Sequence, residues 1–211
     1  LSGGHKGKIL DVAFSPDGQQ CVTAGEDKLC ILWTINGQQL RSLPLPDVVA
    51  CVAFFPDGQR FATGCYDGLV RIHSALGDSL QTLAPKTLRH VECMAISPDG
   101  RYIVSGEWGR FARIWNAQGD SVAVTALLSG NKTGASAVHA LSFSPDGRHL
   151  AIGAEGGLAQ IYRMTDSGPL LLYTLQHYPK RTILALRFTP DGKGIFTGSN
   201  DHWARHWILE Q

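Results

Sequence analysis

Ser15-Pro16-Asp17-Gly18 decides the fold, because it or a near copy returns four more times, as Phe55-Pro56-Asp57-Gly58, Ser97-Pro98-Asp99-Gly100, Ser144-Pro145-Asp146-Gly147 and Thr189-Pro190-Asp191-Gly192. The prolines stand 40, 42, 47 and 45 residues apart, a period typical of stacked repeat units. Proline presets the backbone at the second position of a tight turn and glycine suits the fourth. Each copy therefore predicts a type I turn joining two strands.

Outward from the proline the sequence falls into columns. Two residues before it stand Phe14, Phe54, Ile96, Phe143 and Phe188; four before, Val12, Val52, Met94, Leu141 and Leu186; seven before, Ile9, Val49, Val91, Val138 and Ile183. These predict one apolar strand. Five after it stand Cys21, Phe61, Ile103, Leu150 and Ile195, and eight after it Gly64, Gly106, Gly153 and Gly198 recur, with Ala24 in the first copy. A second strand ends there. Leu32, Ile72, Ile114, Ile161 and His206, followed by Trp33, His73, Trp115, Tyr162 and Trp207, close a third strand. A looser fourth follows, as at 38–43 and 170–175, and nothing sustains a helical period. Each unit is predicted to be a four-stranded antiparallel sheet, apolar on both faces, that covers its neighbour by radial stacking as a propeller blade.

The columns resemble the WD40 repeat family over essentially the whole chain, although the name-giving dipeptide is absent: Thr34, Ser74, Asn116, Arg163 and Ile208 follow the aromatic. The resemblance implies an all-β propeller with blades at 5–46, 47–86, 87–133, 134–175 and 176–211, the last without its outer strand. Because the family most often closes with about seven blades, the five consecutive repeats are expected to be part of a larger propeller. A closed five-bladed ring is the alternative. The opening on Leu1 in mid-pattern suits a longer parent chain. The resemblance also implies a hydrogen-bonded tetrad of His, Ser or Thr, Asp and Trp. The first copy has all four, His5, Thr23, Asp27 and Trp33. The fifth has Thr197, Asp201 and Trp207, with His177 as the partner if its loop holds two extra residues. The second keeps Thr63 and Asp67 but places His73 at the Trp position. The third has Ser105 and Trp115 with Gly109 for Asp, and the fourth has Ile152, Gly156 and Tyr162. The middle blades are therefore expected to rest on packing more than on this network.

The catalytic and ligand-binding alternatives weaken one by one. A hydroxyl, an imidazole and a carboxylate also make a nucleophilic triad, but in the first copy they satisfy one another and the indole, and a Thr within a strand lacks the exposed turn of a nucleophile elbow. His202 and His206 have the spacing of a helical metal pair, yet on a strand they stand roughly 13 Å apart. The five cysteines, Cys21, Cys30, Cys51, Cys65 and Cys93, contain no CxxC pair and fall in small or apolar columns. They read as free thiols in a reducing, cytoplasmic setting. Gly3-Gly4-His5-Lys6-Gly7-Lys8 resembles a phosphate loop, but only three residues separate Gly3 from Gly7 and Ile9 begins a strand. Asn131-Lys132-Thr133 matches a glycosylation acceptor, a match expected to be chance because no charged-then-apolar stretch opens the sequence. No metal and no cofactor is expected. A net charge of +1 and short apolar runs give no reason for a nucleic-acid or membrane partner.

What remains is surface. Trp203 aligns with Leu29, Leu69, Phe111 and Leu158 and is expected in the core. Tyr66 and Trp108 share a turn column with Glu26, Glu155 and Asn200, and Lys28, Arg110 and His202 occupy another variable turn column beside it. In the resembled family these turns lie on one face of the disc with the loops before each first strand, which brings Lys6, Lys8, Tyr178, Lys180 and Arg181 alongside. Aromatic and Arg side chains anchor interfaces, so this face is expected to dock a protein or peptide partner. Asp11 fits no category: its column is otherwise Cys51, Cys93, Ala140 and Ala185, so it is either hydrated in the central channel or paired with a loop cation. The expected function is a non-catalytic protein-interaction scaffold or sensor platform within a larger protein or assembly. The alternative is a hydrolase that uses the central channel, with Asp11 and a His as acid and base.

Overall fold

A computed structural model describes residues 4–126, 137–177 and 181–209. Among them all regular structure is β, in five antiparallel sheets. The first holds β1 (Ile9–Phe14), β2 (Gln20–Gly25), β3 (Leu29–Thr34) and β4 (Gln39–Pro44); the second holds β5 (Val49–Phe54), β6 (Arg60–Cys65), β7 (Val70–Ser74) and β8 (Ser79–Leu83). The third holds β9 (Val91–Ile96), β10 (Tyr102–Glu107), β11 (Phe111–Asn116) and β12 (Ser121–Ala126); the fourth β13 (Val138–Phe143), β14 (His149–Ala154), β15 (Leu158–Thr165) and β16 (Gly168–Gln176). Three strands make the fifth, β17 (Ile183–Phe188), β18 (Gly194–Ser199) and β19 (Ala204–Ile208). In every sheet spatial order follows chain order, so the blades are simple meanders.

The repeated turn works as its residue types dictate. Gly18 has φ 68° and donates its N–H to Ser15 O at 2.9 Å, while Ser15 Oγ donates to Asp17 Oδ1 at 2.6 Å. Asp17 Oδ1 also accepts Gln19 N–H at 3.0 Å, and Ser15 Oγ accepts Gln20 N–H at 2.9 Å. The copies at Ser97, Ser144 and Thr189 repeat the hydroxyl-to-Asp bond at 2.5–2.6 Å. The second copy has Phe55 instead, fully buried, and Arg60 closes its turn by binding Asp57 and lying 4.2 Å over the Phe55 ring.

Blade-on-blade packing forms the core. Val22, Ala24, Cys30 and Leu32 of the first blade cluster with Val49, Val52 and Phe61 of the second, and the same columns recur at each later joint. The recurrent glycine permits this approach. A Cβ on Gly64 would stand 2.6 Å from Val91 Cγ1, one on Gly106 2.7 Å from Val138 Cγ1, and one on Gly153 2.8 Å from Ile183 Cγ2. Inner strands pack in succession around a central channel, and four of the five carry a bulge at Leu10, Ala50, His139 and Leu184, with the fifth at Glu92. Such bulges re-aim a side chain, and all five of these residues line the channel.

The ends of the array are uncovered. Ile9, Val12 and Phe14 on the first blade are 53%, 50% and 59% exposed, and Phe196 and Ile208 on the last are 51% and 77% exposed. Among the described residues these two faces have no blade packed on them. Trp203 corrects an expectation: it is 68% exposed; Leu29, Phe111 and Leu158 of its column lie beside Pro44, Ala126 and Gln176 of a fourth strand, and among the described residues no strand flanks β19 on that side.

Candidate functional site

Hydroxyl, imidazole and carboxylate groups meet first inside the blades. His5 Nδ1 lies 2.8 Å from Asp27 Oδ1 and Nε2 2.8 Å from Thr23 Oγ1, which also accepts Trp33 Nε1–H at 2.9 Å. Asp27 further accepts the N–H groups of Lys6 and Leu29. Burial works against its charge, but these bonds prevail and hold the carboxyl below the usual range. Thr23 is buried between two partners and offers no nucleophile. In the fifth blade His177 Nε2 meets Thr197 Oγ1 at 2.7 Å and Trp207 Nε1 donates there at 2.8 Å. Arg205 Nη1 stands between the other two members, donating to His177 Nδ1 and Asp201 Oδ2, both at 2.6 Å. Burial and that guanidinium depress the His177 pKa. A neutral ring protonated at Nε2 fits these contacts, whereas His5 presents Nδ1–H to its carboxylate.

The middle blades differ from expectation, since each has a substitute network. Arg71 Nη2 donates to Asp67 Oδ2 at 2.6 Å, and Thr63 Oγ1 contacts His73 Nε2 at 3.2 Å. In the third blade Trp115 Nε1 donates to Ser105 Oγ, Ser105 Oγ to Glu107 Oε1, and Arg113 Nε to Glu107 Oε1 at 3.0 Å, with Glu107 and Arg113 both buried. Tyr162 O–H donates to Gln160 Oε1 at 2.9 Å in the fourth. The sequence signal was present: Ile31, Arg71, Arg113, Gln160 and Arg205 form one column, polar in four of five copies.

Asp11 also resolves. Its Oδ1 accepts Val12 N–H and its Oδ2 accepts Val52 N–H, each at 2.9 Å, so it ties the first inner strand to the second. Arg187 does the like at the other end, donating to Leu141 O at 3.2 Å. Burial raises the Asp11 pKa, while the two amides and the Arg187 charge oppose the rise. Both of its oxygens thus serve as backbone ties between strands. The cysteines are free: Cys30, Cys51 and Cys65 are buried, Cys21 and Cys93 partly so. Burial pushes their thiols up, Cys65 to about 12, which leaves no thiolate nucleophile at neutral pH.

The exposed groups gather around the channel mouth. Tyr66 stacks on His90 with centroids 4.8 Å apart, and Trp108 meets His90 edge-on at 5.9 Å. Tyr66 O–H donates to Glu92 Oε2 at 3.4 Å, and Trp108 Nε1 donates to Glu92 Oε1. Trp108 N–H also pairs with His90 O, which fixes the turn against the loop before the inner strand. Glu92 belongs at the same time to the wall of the channel, a cavity of about 440 Å³ that Asp11, His139 and Arg187 also line. Sequence reading missed Glu92 and His90; in the bulge column Leu10, Ala50, Glu92, His139 and Leu184, the charged member was the available signal.

The expected cations divide. Lys6 is exposed, Lys8 pairs with Glu26 at 3.4 Å, and Lys28 with Asp47 at 3.2 Å. Arg110, Arg181 and His202 instead line one open depression of about 510 Å³ with Glu155 and Asn200. Lys28, Arg110 and His202 have φ of 66°, 62° and 68°, a left-handed geometry that glycine adopts without strain and that Gly68 and Gly157 supply in the other copies. Tyr178 and Lys180 lie outside the described residues.

Residues 2–34, 37–74, 77–116, 123–163 and 170–207 each match the family model described as "WD domain, G-beta repeat". A 47-residue stretch is 43% identical to Small ribosomal subunit protein RACK1 of Caenorhabditis elegans, a match that spans 22% of this chain and 14% of that protein. Repeated matches along nearly its whole length, on a scaffold of successive antiparallel blades, place the chain in the WD40 family.

Proposed function

We propose that the chain is a non-catalytic binding scaffold that docks a protein or peptide partner on the face bearing Tyr66, Trp108, Arg110, Arg181 and His202. The observation that carries this reading is the division of labour among its polar groups. The hydroxyl, imidazole and carboxylate groups of the blade networks are consumed in bonds within blades, while Tyr66 and Trp108 stand at the channel mouth and Arg110, Arg181 and His202 line an open depression. The similarity to a protein named for the small ribosomal subunit supports a role in an assembly. A sensor platform within a larger protein is the same reading at longer range, and the free thiols suit a reducing, cytoplasmic compartment.

The array also has the character of part of a larger propeller. Gly198 occupies the column in which glycine makes room for the next blade, yet the nearest atom to a Cβ there is Ala185 Cβ at 3.9 Å. Glycine within a strand costs roughly 0.5–1 kcal/mol relative to alanine, so its presence on the free face suits a neighbour that approaches as closely as Val138 approaches Gly106. The test of the docking face is capture of partners by the immobilised chain, with and without W108A/R110A. Loss of bound protein in the variant, at unchanged thermal stability, is the expected result; equal capture by both overturns the assignment.

A further inference from the structure

We propose that Glu92, walled by Tyr66, His90 and Trp108 at the channel mouth, is the receptor for a single arginine side chain on an extended peptide partner. This deepens the docking-face reading and rests on it. Glu92 lies in the bulge of its inner strand, which aims it into the channel instead of the sheet. Both of its hydrogen bonds come from uncharged donors, Tyr66 O–H on one oxygen and Trp108 Nε1–H on the other, and among the described residues no Lys or Arg pairs with it. Lys28 pairs with Asp47 and Lys8 with Glu26, Arg89 lies over the Phe111 ring, and Arg187, which lines the same channel, donates to the carbonyls of Leu141 and Leu186.

The geometry of a carboxylate selects the ligand. Two oxygens offer about four lone-pair positions. Tyr66 and Trp108 occupy one on each oxygen, which leaves one on each to accept a further donor. A planar guanidinium presents two parallel N–H groups to that pair, whereas an ammonium meets it as a point charge. The aromatic wall adds to the preference, since a guanidinium stacks on ring faces, and Trp108 keeps 41% of its surface open to solvent. A carboxylate or phosphate ligand would meet Glu92 with like charge. A purely apolar ligand would bury the carboxylate without a countercharge.

The test follows the Trp108 indole N–H resonance of the full chain, identified by its absence from W108F, while acetyl-Gly-Arg-Gly-amide is added. Parallel titrations use the lysine, citrulline and glutamate peptides. Saturable shifts are expected for arginine, roughly tenfold weaker binding for lysine, and none for citrulline or glutamate. E92Q should lose the arginine response while its melting temperature stays within a few degrees. Equal responses to arginine and citrulline, or an unchanged response in E92Q, overturn the proposal. The peptide series uses the unaltered chain, so it decides the matter even where E92Q fails to fold. If arginine binds nothing here yet W108A/R110A still loses its partner, the docking face stands and this assignment falls; if arginine binds and the partner is indifferent to those substitutions, the reverse holds.

Discussion

The joint between the third and fourth blades and the outer face of the fifth are built from the same columns, yet they behave as different materials. At the joint Val104, Ala112 and Ile114 are fully buried against Val138, Leu141 and Leu150. On the fifth blade the same positions hold Phe196, Ala204 and His206; Phe196 and His206 stack on each other at 4.4 Å with nothing described above them. A blade therefore takes its core from its neighbour and not from its own sheet. The burial of these positions is decided one blade away, whereas Trp203 lacks the fourth strand of its own sheet that flanks its counterparts.

Interior and end differ most at their ion pairs. Arg113→Ala should strand the buried Glu107 carboxylate and cost about 3–5 kcal/mol. Arg205→Ala, on the half-open blade where Arg205 is 27% exposed and Asp201 keeps the Trp203 amide, should cost about 1–2 kcal/mol. Urea unfolding of the two variants measures the gap, and equal losses would erase the distinction between interior and end.

Acid provides a second lever. His73 is held neutral by burial and by the Arg71 and Arg41 charges, with its pKa down at about 4 against an unfolded value of 6.5. Within that window the unfolded chain takes the proton and the folded chain refuses it. Stability is therefore complete above about pH 6.5 and falls as pH drops toward 4, by on the order of 2–3 kcal/mol. A His73→Phe variant, stacked on Phe61 as His73 is at 5.0 Å, should show a shallower decline in melting temperature across the same range.

The smallest effect is the sharpest contrast. Gly106→Ala drives a methyl to 2.7 Å from Val138 Cγ1 and should cost about 1–3 kcal/mol. Gly198→Ala meets nothing nearer than 3.9 Å and should change stability by no more than about 0.5 kcal/mol in the isolated chain. Denaturant midpoints of the pair decide it. If Gly198→Ala proves as costly as Gly106→Ala, the fifth blade has a close neighbour in solution.

Much of this architecture was legible in the primary structure because turns and blade joints are local and periodic. The Pro-Asp-Gly turns marked where strands meet, and the glycine column marked where the next blade approaches. The polar networks of the middle blades were less visible, because Arg71, Arg113 and Gln160 replace the expected groups from a different strand position and reach the same buried space by length. The channel-mouth cluster was only half visible. Tyr66 and Trp108 stood out as turn residues, but their common acceptor, Glu92, lies on another strand and faces the channel only because a bulge turns it there.

One consequence concerns how such a chain can change length. The family matches are out of phase with the sheets: the match at 37–74 begins ahead of β4, the outer strand of the first blade, and ends with β7 of the second. The last four matched repeats are thus staples whose two legs stand in different blades. Removing one whole repeat at any starting point leaves an outer strand to finish the preceding sheet and an inner strand to begin the next, so the seam heals wherever it is cut. Losing a fraction of a period leaves a sheet with a missing or surplus strand, and insertions or deletions survive only in whole steps.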